Sequence, residues 1–131
     1  MLFRSSLGSC TIPANVLQTG DRVEIHFDLG HAGTATGFEF KVFWGSTVLV
    51  ERMASAAELM IAGKGESAVY SGGAQLRSES WGTSVGYAAS VTNATDNIVP
   101  AITIDFQAKM LQATTETVTL RNFTVVSYQA Q

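Results

Sequence analysis

Between Asp21 and Leu29 apolar and polar residues alternate, with Val23, Ile25, Phe27 and Leu29 on one side and Arg22, Glu24, His26 and Asp28 on the other. That period of two predicts a strand with one dry face and one wet face. The stretch GFEFKVFWGSTVLVE, residues 37–51, begins the same way, setting Phe38, Phe40, Val42 and Trp44 against Glu39 and Lys41. Phe43 is the exception, an aromatic where a polar residue is due. Gly45 and Ser46 then supply a tight connection or bulge before an apolar run, so residues 37–51 are expected to be two strands meeting at a sharp corner.

Helical spacing occurs in one place, RMASAAELMIA at residues 52–62, through Met53, Ala57, Met60 and Ile61. The segment is short and lies between strands, which predicts a loop crossing with at most one or two helical turns. Glycine-bounded strands follow at 65–72 and 73–82, joined by a hairpin turn in SGGAQ. In TSVGYAASV, residues 83–91, Val85, Tyr87, Ala89 and Val91 alternate with small or polar residues, and the polar loop TNATDN comes next. Ile102, Ile104, Phe106 and Ala108 then alternate with Thr103, Asp105, Gln107 and Lys109. The last strand, ETVTLRNFTVVSY, shifts its apolar register around Asn122, from Val118 and Leu120 to Phe123 and Val125.

Eight or nine short strands, with turn signals about every ten residues and no βαβ unit, predict an all-β chain. Strands of this length favour an antiparallel β-sandwich, jelly-roll-like, over a small closed barrel. Residues 1–131 read as one domain, with residues 1–10 as an N-terminal arm or edge strand.

Composition changes this picture little. Hydrophobic residues make up 46% and charged residues 15%, so a core is available and Ser, Thr, Asn and Gln must cover the wet faces. The net charge is -3, with no basic cluster to follow a phosphate backbone, which argues against nucleic acid as a partner. Cys10 is the one cysteine, unable to form a disulfide within the chain and expected as a small buried side chain near a strand. Leu7 to Cys10 loosely resemble the end of a lipoprotein signal, but Arg4, Ser5 and Ser6 interrupt the apolar run of roughly 7–15 residues that a signal needs. No stretch approaches the ~20 apolar residues of a membrane span, so a soluble chain without a membrane partner is expected.

Candidate chemistry is sparse. His26 and Asp28 share a strand face, and His31 follows; both histidines are assigned to the polar face, where two-residue spacing recurs by construction. No second His or Cys cluster completes the three or four ligands of a zinc site. No serine lies in a nucleophile elbow. Asp96 and Asp105 are the carboxylates a glycosidase couple would draw on, although Asp96 is equally a turn residue of the NATDN loop. SGGAQ lacks the Lys-Ser/Thr and helix of a phosphate loop. Neither catalytic residues nor a metal or cofactor is expected, and the chain is read as not an enzyme.

Aromatics carry more information. Trp44 lies on the core side of its strand. Trp81 shares parity with Gln75, Arg77 and Glu79, the wetter side, and Phe43 sits beside Glu39 and Lys41. Phe43, Arg77 and Trp81 are therefore the interface or ligand candidates, as anchors at a protein contact or as a sugar-stacking platform. The competing role for Trp81 is burial through a bulge at Gly82.

Several segments in order carry a resemblance: Thr11-Ile12-Pro13-Ala14-Asn15-Val16-Leu17 with Gly20-Asp21; Gly33-Thr34-Ala35; Phe43-Trp44-Gly45-Ser46-Thr47-Val48-Leu49; Val91-Thr92-Asn93-Ala94-Thr95; and the closing ETVTLRNFTVVSY. With them the chain, from about Cys10 to Tyr128, resembles small jelly-roll β-sandwich structural proteins of tailed bacteriophages. It departs from the commoner pattern in having Ser46 where a second glycine is usual and in a longer segment from Met53 to Ala62. The resemblance implies a non-catalytic virion component, in the tail or fibre or decorating the head, made in the host bacterial cytoplasm. Its expected partners are copies of itself, as a homotrimer or ring, and other virion proteins. The alternative is a carbohydrate- or receptor-binding module that recognises host surface glycan through Trp81, Phe43 and nearby polar residues.

Overall fold

The computed structural model describes residues 4–83 and 86–130. Nine strands follow one another: β1 (Ser5–Ile12), β2 (Arg22–Ala32), β3 (Phe38–Trp44), β4 (Thr47–Ala54), β5 (Met60–Tyr70), β6 (Gly73–Gly82), β7 (Ala88–Ala94), β8 (Ile102–Met110) and β9 (Thr117–Tyr128). No helix occurs among the described residues. The strands form two antiparallel sheets, one in the order β1-β8-β3-β4 and the other β7-β6-β5-β2-β9. β8 returns to lie between β1 and β3, and β9 returns beside β2, which gives the jelly-roll-like sandwich its interleaving. β1 is an edge strand of the smaller sheet.

Alternation along each strand decides what fills the space between the sheets. From β2 come Val23, Ile25, Phe27 and Leu29; from β3 Phe38, Phe40, Val42 and Trp44; from β8 Ile102, Ile104 and Phe106, all buried. Phe27 lies at the centre, its ring 5.1 Å from that of Phe40 and 6.1 Å from that of Phe106. A fully buried side chain of this class stabilises by about 1.5–3 kcal/mol over its exposed state, and the whole row of such residues between the sheets, with Phe27 at its centre, holds them together.

Three expectations change. Residues 37–51 are not a sandwich corner: β3 and β4 pair with each other across Gly45 and Ser46 as a hairpin within one sheet. Gly45 has φ +58, the left-handed value that a two-residue hairpin loop requires of its first residue. The apolar run after it arises from a bulge, because Val42 pairs with Val50 and Phe43 with Val48, leaving Leu49 as the extra residue. Leu49 and Val50 are consecutive and both buried.

Secondly, the segment with helical spacing has no helical turn. β4 runs to Ala54, a short turn follows, and β5 starts at Met60. Thirdly, β7 starts at Ala88 within the alternating stretch; Val85 lies outside the described residues. The register shift around Asn122 is itself a bulge: Asp28 pairs with Asn122 and Leu29 with Leu120, which makes Arg121 the extra residue.

Candidate functional site

The outward side chains of the five-stranded sheet form a regular array because the strands are in register. One line across it reads Glu24, Glu66, Arg77 and Val91; the next reads His26, Lys64, Glu79 and Ala89; a third reads Asp28, Ala62 and Trp81. Where β5 meets β6, opposite charges face one another in the first two lines, Glu66 with Arg77 and Lys64 with Glu79. Arg77 forms an ion pair with Glu66, which Arg22 also approaches at 3.2 Å. Lys64 lies 3.7 Å from Glu79. Glu66 is buried although it points outward, since the two arginine side chains lie over it. A hydrogen bond from His26 at 3.4 Å, opposed by burial and assisted by the Tyr128 hydroxyl at 3.3 Å, holds the Glu24 carboxyl below its usual range.

Trp81 ends the third line and is 45% exposed, so no bulge turns it inward. Tyr87, from the segment leading into β7, packs against it with ring centroids 5.8 Å apart. The Tyr87 hydroxyl donates to Glu79 at 3.1 Å, and that hydrogen bond, with burial, raises its pKa above the ordinary tyrosine value. Trp81 also bounds a shallow groove over β6, β5 and β2. One lobe, of about 450 Å³, has Asp28, Met60, Ala62 and Arg121 in its wall, and the other, of about 390 Å³, has His26, Lys64 and Glu79. The lobes share Asp28, Ala62 and Trp81.

The sequence candidates do not assemble into one site. Phe43 is half-buried, flanked on β3 by the core residues Val42 and Trp44, and so points out of the four-stranded sheet. Trp81 and Arg77 point out of the five-stranded sheet, on the opposite outer face of the sandwich. A platform that joins Phe43 to Trp81 is therefore ruled out by the layering. Arg77 and Trp81 share a face, with the guanidinium engaged by Glu66.

The titratable candidates separate as well. His26 and Asp28 face outward as expected, but His31 does not: it has the parity of the core residues of β2 and is buried. Its Nδ1–H donates to the Glu58 carbonyl at 3.0 Å, its ring lies 5.0 Å from Phe38, and Nε2 lies 3.8 Å from a Glu116 oxygen. Asp105 faces out of the other sheet, accepting from Ser6 at 2.6 Å and Gln107 at 2.7 Å. Asp96 accepts from the Ser46 N–H at 2.9 Å, the Ser46 hydroxyl at 2.7 Å and the Thr47 hydroxyl at 2.5 Å. Both carboxylates of the supposed glycosidase couple are thus engaged by their neighbours. Among the described residues no group of three His, Cys, Asp or Glu could hold a metal ion.

Three features escape the sequence reading. The Trp81–Tyr87 pair joins the end of β6 to the residue just before β7, a contact that no periodicity encodes. Arg52, on β4, and Glu58 are buried and paired at 3.4 Å, and Arg52 also donates to Ser80 of β6 at 3.1 Å. Its signal is present in retrospect, because Arg52 stands between Val50 and Ala54 on the core side of the alternation. Arg121 is exposed and aimed at the groove by its bulge, which no pattern of apolar residues specifies. Comparison with protein-family models, with curated proteins and with solved structures finds no match.

Proposed function

We propose that this chain is a non-enzymatic structural subunit of a tailed-bacteriophage virion, a tail or fibre component or a capsid-decorating protein, which assembles with copies of itself. The resemblance of its ordered segments supplies the biological setting. The edge strand β7 carries the assembly reading. From Ala88 to Asn93 every residue of β7 is exposed on both faces, and Val91 is 68% exposed.

An unpaired edge invites another strand, and proteins that stay monomeric blunt it with charge, proline or a bulge. The other three edges have such devices: β1 a bulge between Ser6 and Gly8, β4 a bulge and Glu51, β9 a bulge at Arg121. β7, with the sequence AASVTNA, has no charge, no proline and an unbroken register with β6. A strand left open in this way suits one that is covered by a neighbouring subunit, in a ring or trimer whose heterologous contact closes.

Light scattering of the purified protein at two concentrations tests this. A trimer or larger ring is expected, reduced to monomer by Val91→Lys, which places a charge on the open strand. A wild-type protein that is monomeric at both concentrations, or an oligomer indifferent to Val91→Lys, removes β7 as the assembly edge. The second reading, a carbohydrate- or receptor-binding module, draws on the exposed Trp81–Tyr87 pair and its groove and is compatible with assembly through β7.

A further inference from the structure

The geometry points to the groove beside Trp81 as a binding site for a neutral hexopyranose chain, with Trp81 as the stacking surface and Asp28 and Arg121 as the hydroxyl-binding groups. This deepens the binding-module reading and is independent of assembly at β7.

The groove has a floor, two walls and two groups with no partner of their own. Ala62 pairs with Asp28 on one side and Trp81 on the other, so the small side chain is the floor and the two larger ones stand across it. Two strand spacings separate them, roughly 10 Å, wide enough for a sugar ring laid against the indole. The polar groups elsewhere on this face are partnered by each other: Arg77 and Arg22 by Glu66, Lys64 by Glu79, His26 by Glu24. Among the described residues the Asp28 carboxylate and the Arg121 guanidinium have neither hydrogen bond nor ion pair, yet both line the same lobe as Trp81.

The backbone is shaped to put Arg121 there. It is the extra residue of the β9 bulge, and a bulge re-aims the side chain it carries. Across from it stands Gly30, where an added Cβ would lie 2.2 Å from Arg121 Nε. The guanidinium therefore lies over the sheet in space that only glycine leaves open.

These features select the ligand by chemistry. A pyranose has an apolar C–H face, which covers an exposed indole, and a rim of vicinal hydroxyls, which a carboxylate and a guanidinium bind as acceptor and donor. A peptide added as a strand requires a free sheet edge, and β5 and β2 are paired on both sides. A nucleic acid would meet Glu24, Asp28, Glu66 and Glu79 on this face. The groove adjoins a second lobe rather than closing, so it accommodates successive units of a chain.

The experiment is a fluorescence titration of the full chain with maltohexaose, cellohexaose, mannohexaose and β-1,4-galactohexaose, repeated by calorimetry for any that responds. Trp44 is buried and Trp81 exposed, so a saturable change in the exposed tryptophan's emission is expected with at least one of the four. Trp81→Ala should abolish binding, and Asp28→Asn and Arg121→Gln should each weaken it by roughly tenfold to a hundredfold, the range for losing a hydrogen bond to a charged group. Gly30→Ala, which removes no contacting group, should weaken binding by displacing Arg121. Circular dichroism of each variant establishes that it is folded, and Trp81→Phe, which keeps an aromatic face, should retain part of the affinity. Absence of binding to all four sugars overturns the proposal, as does binding that survives Trp81→Ala or is indifferent to Asp28→Asn and Arg121→Gln. The oligomeric state of Val91→Lys reads assembly separately, so failure of one reading leaves the other measurable.

Discussion

Asp96 holds the turn of a hairpin fifty residues away in the chain, accepting from the Ser46 N–H and from the hydroxyls of Ser46 and Thr47. Burial pushes its pKa up, but the Thr47 and Ser46 donors outweigh burial and hold the carboxyl below the ordinary aspartate value. A carboxylate whose pKa is depressed on folding contributes stability that is complete above its unfolded value and is lost as pH falls through the folded one. Asp96→Asn should therefore cost about 1–2 kcal/mol at neutral pH, the size of a lost cap, and should flatten the fall in stability on acidification below the ordinary aspartate range. Urea midpoints measured across that range for both proteins check it; parallel curves would show that the carboxylate charge is not what holds the turn. Glu116 acts similarly, accepting from the N–H groups of Ala35 at 2.6 Å and Thr36 at 2.8 Å, and Asp21 accepts from Gln18 at 2.9 Å and Ala130 at 2.8 Å. The segments Gly33-Thr34-Ala35, Gly45-Ser46-Thr47 and Gly20-Asp21, read in the sequence as marks of resemblance, are thus loops fixed by carboxylates. Their composition was legible, but their partners lie at distances along the chain that no local pattern records.

The same limit applies between elements. Strand positions follow from alternation, and the shift around Asn122 announced a bulge because a skipped residue must exchange the two faces. The hairpin at Gly45 reads as a corner in the sequence, since the Leu49 bulge turns two consecutive residues inward and mimics the continuous apolar run of a strand in a new setting. Arg52 escapes the sequence pattern for a different reason: a charge at a core position is exceptional, and its partner Glu58 comes from the turn after the strand. Together they tie β4 to Ser80 of β6, and so one sheet to the other. Removing one member of a buried pair leaves the other uncompensated, at about 3–5 kcal/mol, whereas apolar replacement of both is often far milder. Glu58→Gln and Arg52→Met should each lower the urea midpoint strongly, and the double variant Arg52→Met with Glu58→Leu should lose less than the sum of the single losses. Additive losses in that cycle would mean that the two side chains support the sheets separately.

For the molecule as a whole, the topology joins distant parts of the chain. Ser5 pairs with Ala108 and Arg22 with Tyr128, so neither sheet is complete until both ends of the sequence have been brought in. Local hairpins, β3–β4 and β5–β6–β7, can form early, but each is part of a sheet that is completed only when β8 and β1 join β3 and when β2 and β9 join β5. Pairings this remote require loop closure before any contact rewards it, which places the refolding of sandwiches in the millisecond-to-second range. The two tryptophans allow a direct test. In Trp81→Phe the buried Trp44 is the one remaining indole, standing on β3 in contact with strands from both halves of the chain. Its emission in stopped-flow refolding should recover in a single phase on that timescale, and its equilibrium urea transition should coincide with loss of the β-sheet signal in circular dichroism. Recovery within a millisecond, or a Trp44 transition that precedes loss of sheet, would mean that the β3–β4 hairpin and its neighbours fold as a unit without the strands that close the sandwich. Coincident transitions would instead mean that the core, the Trp81 groove and the open β7 edge form together in one cooperative step.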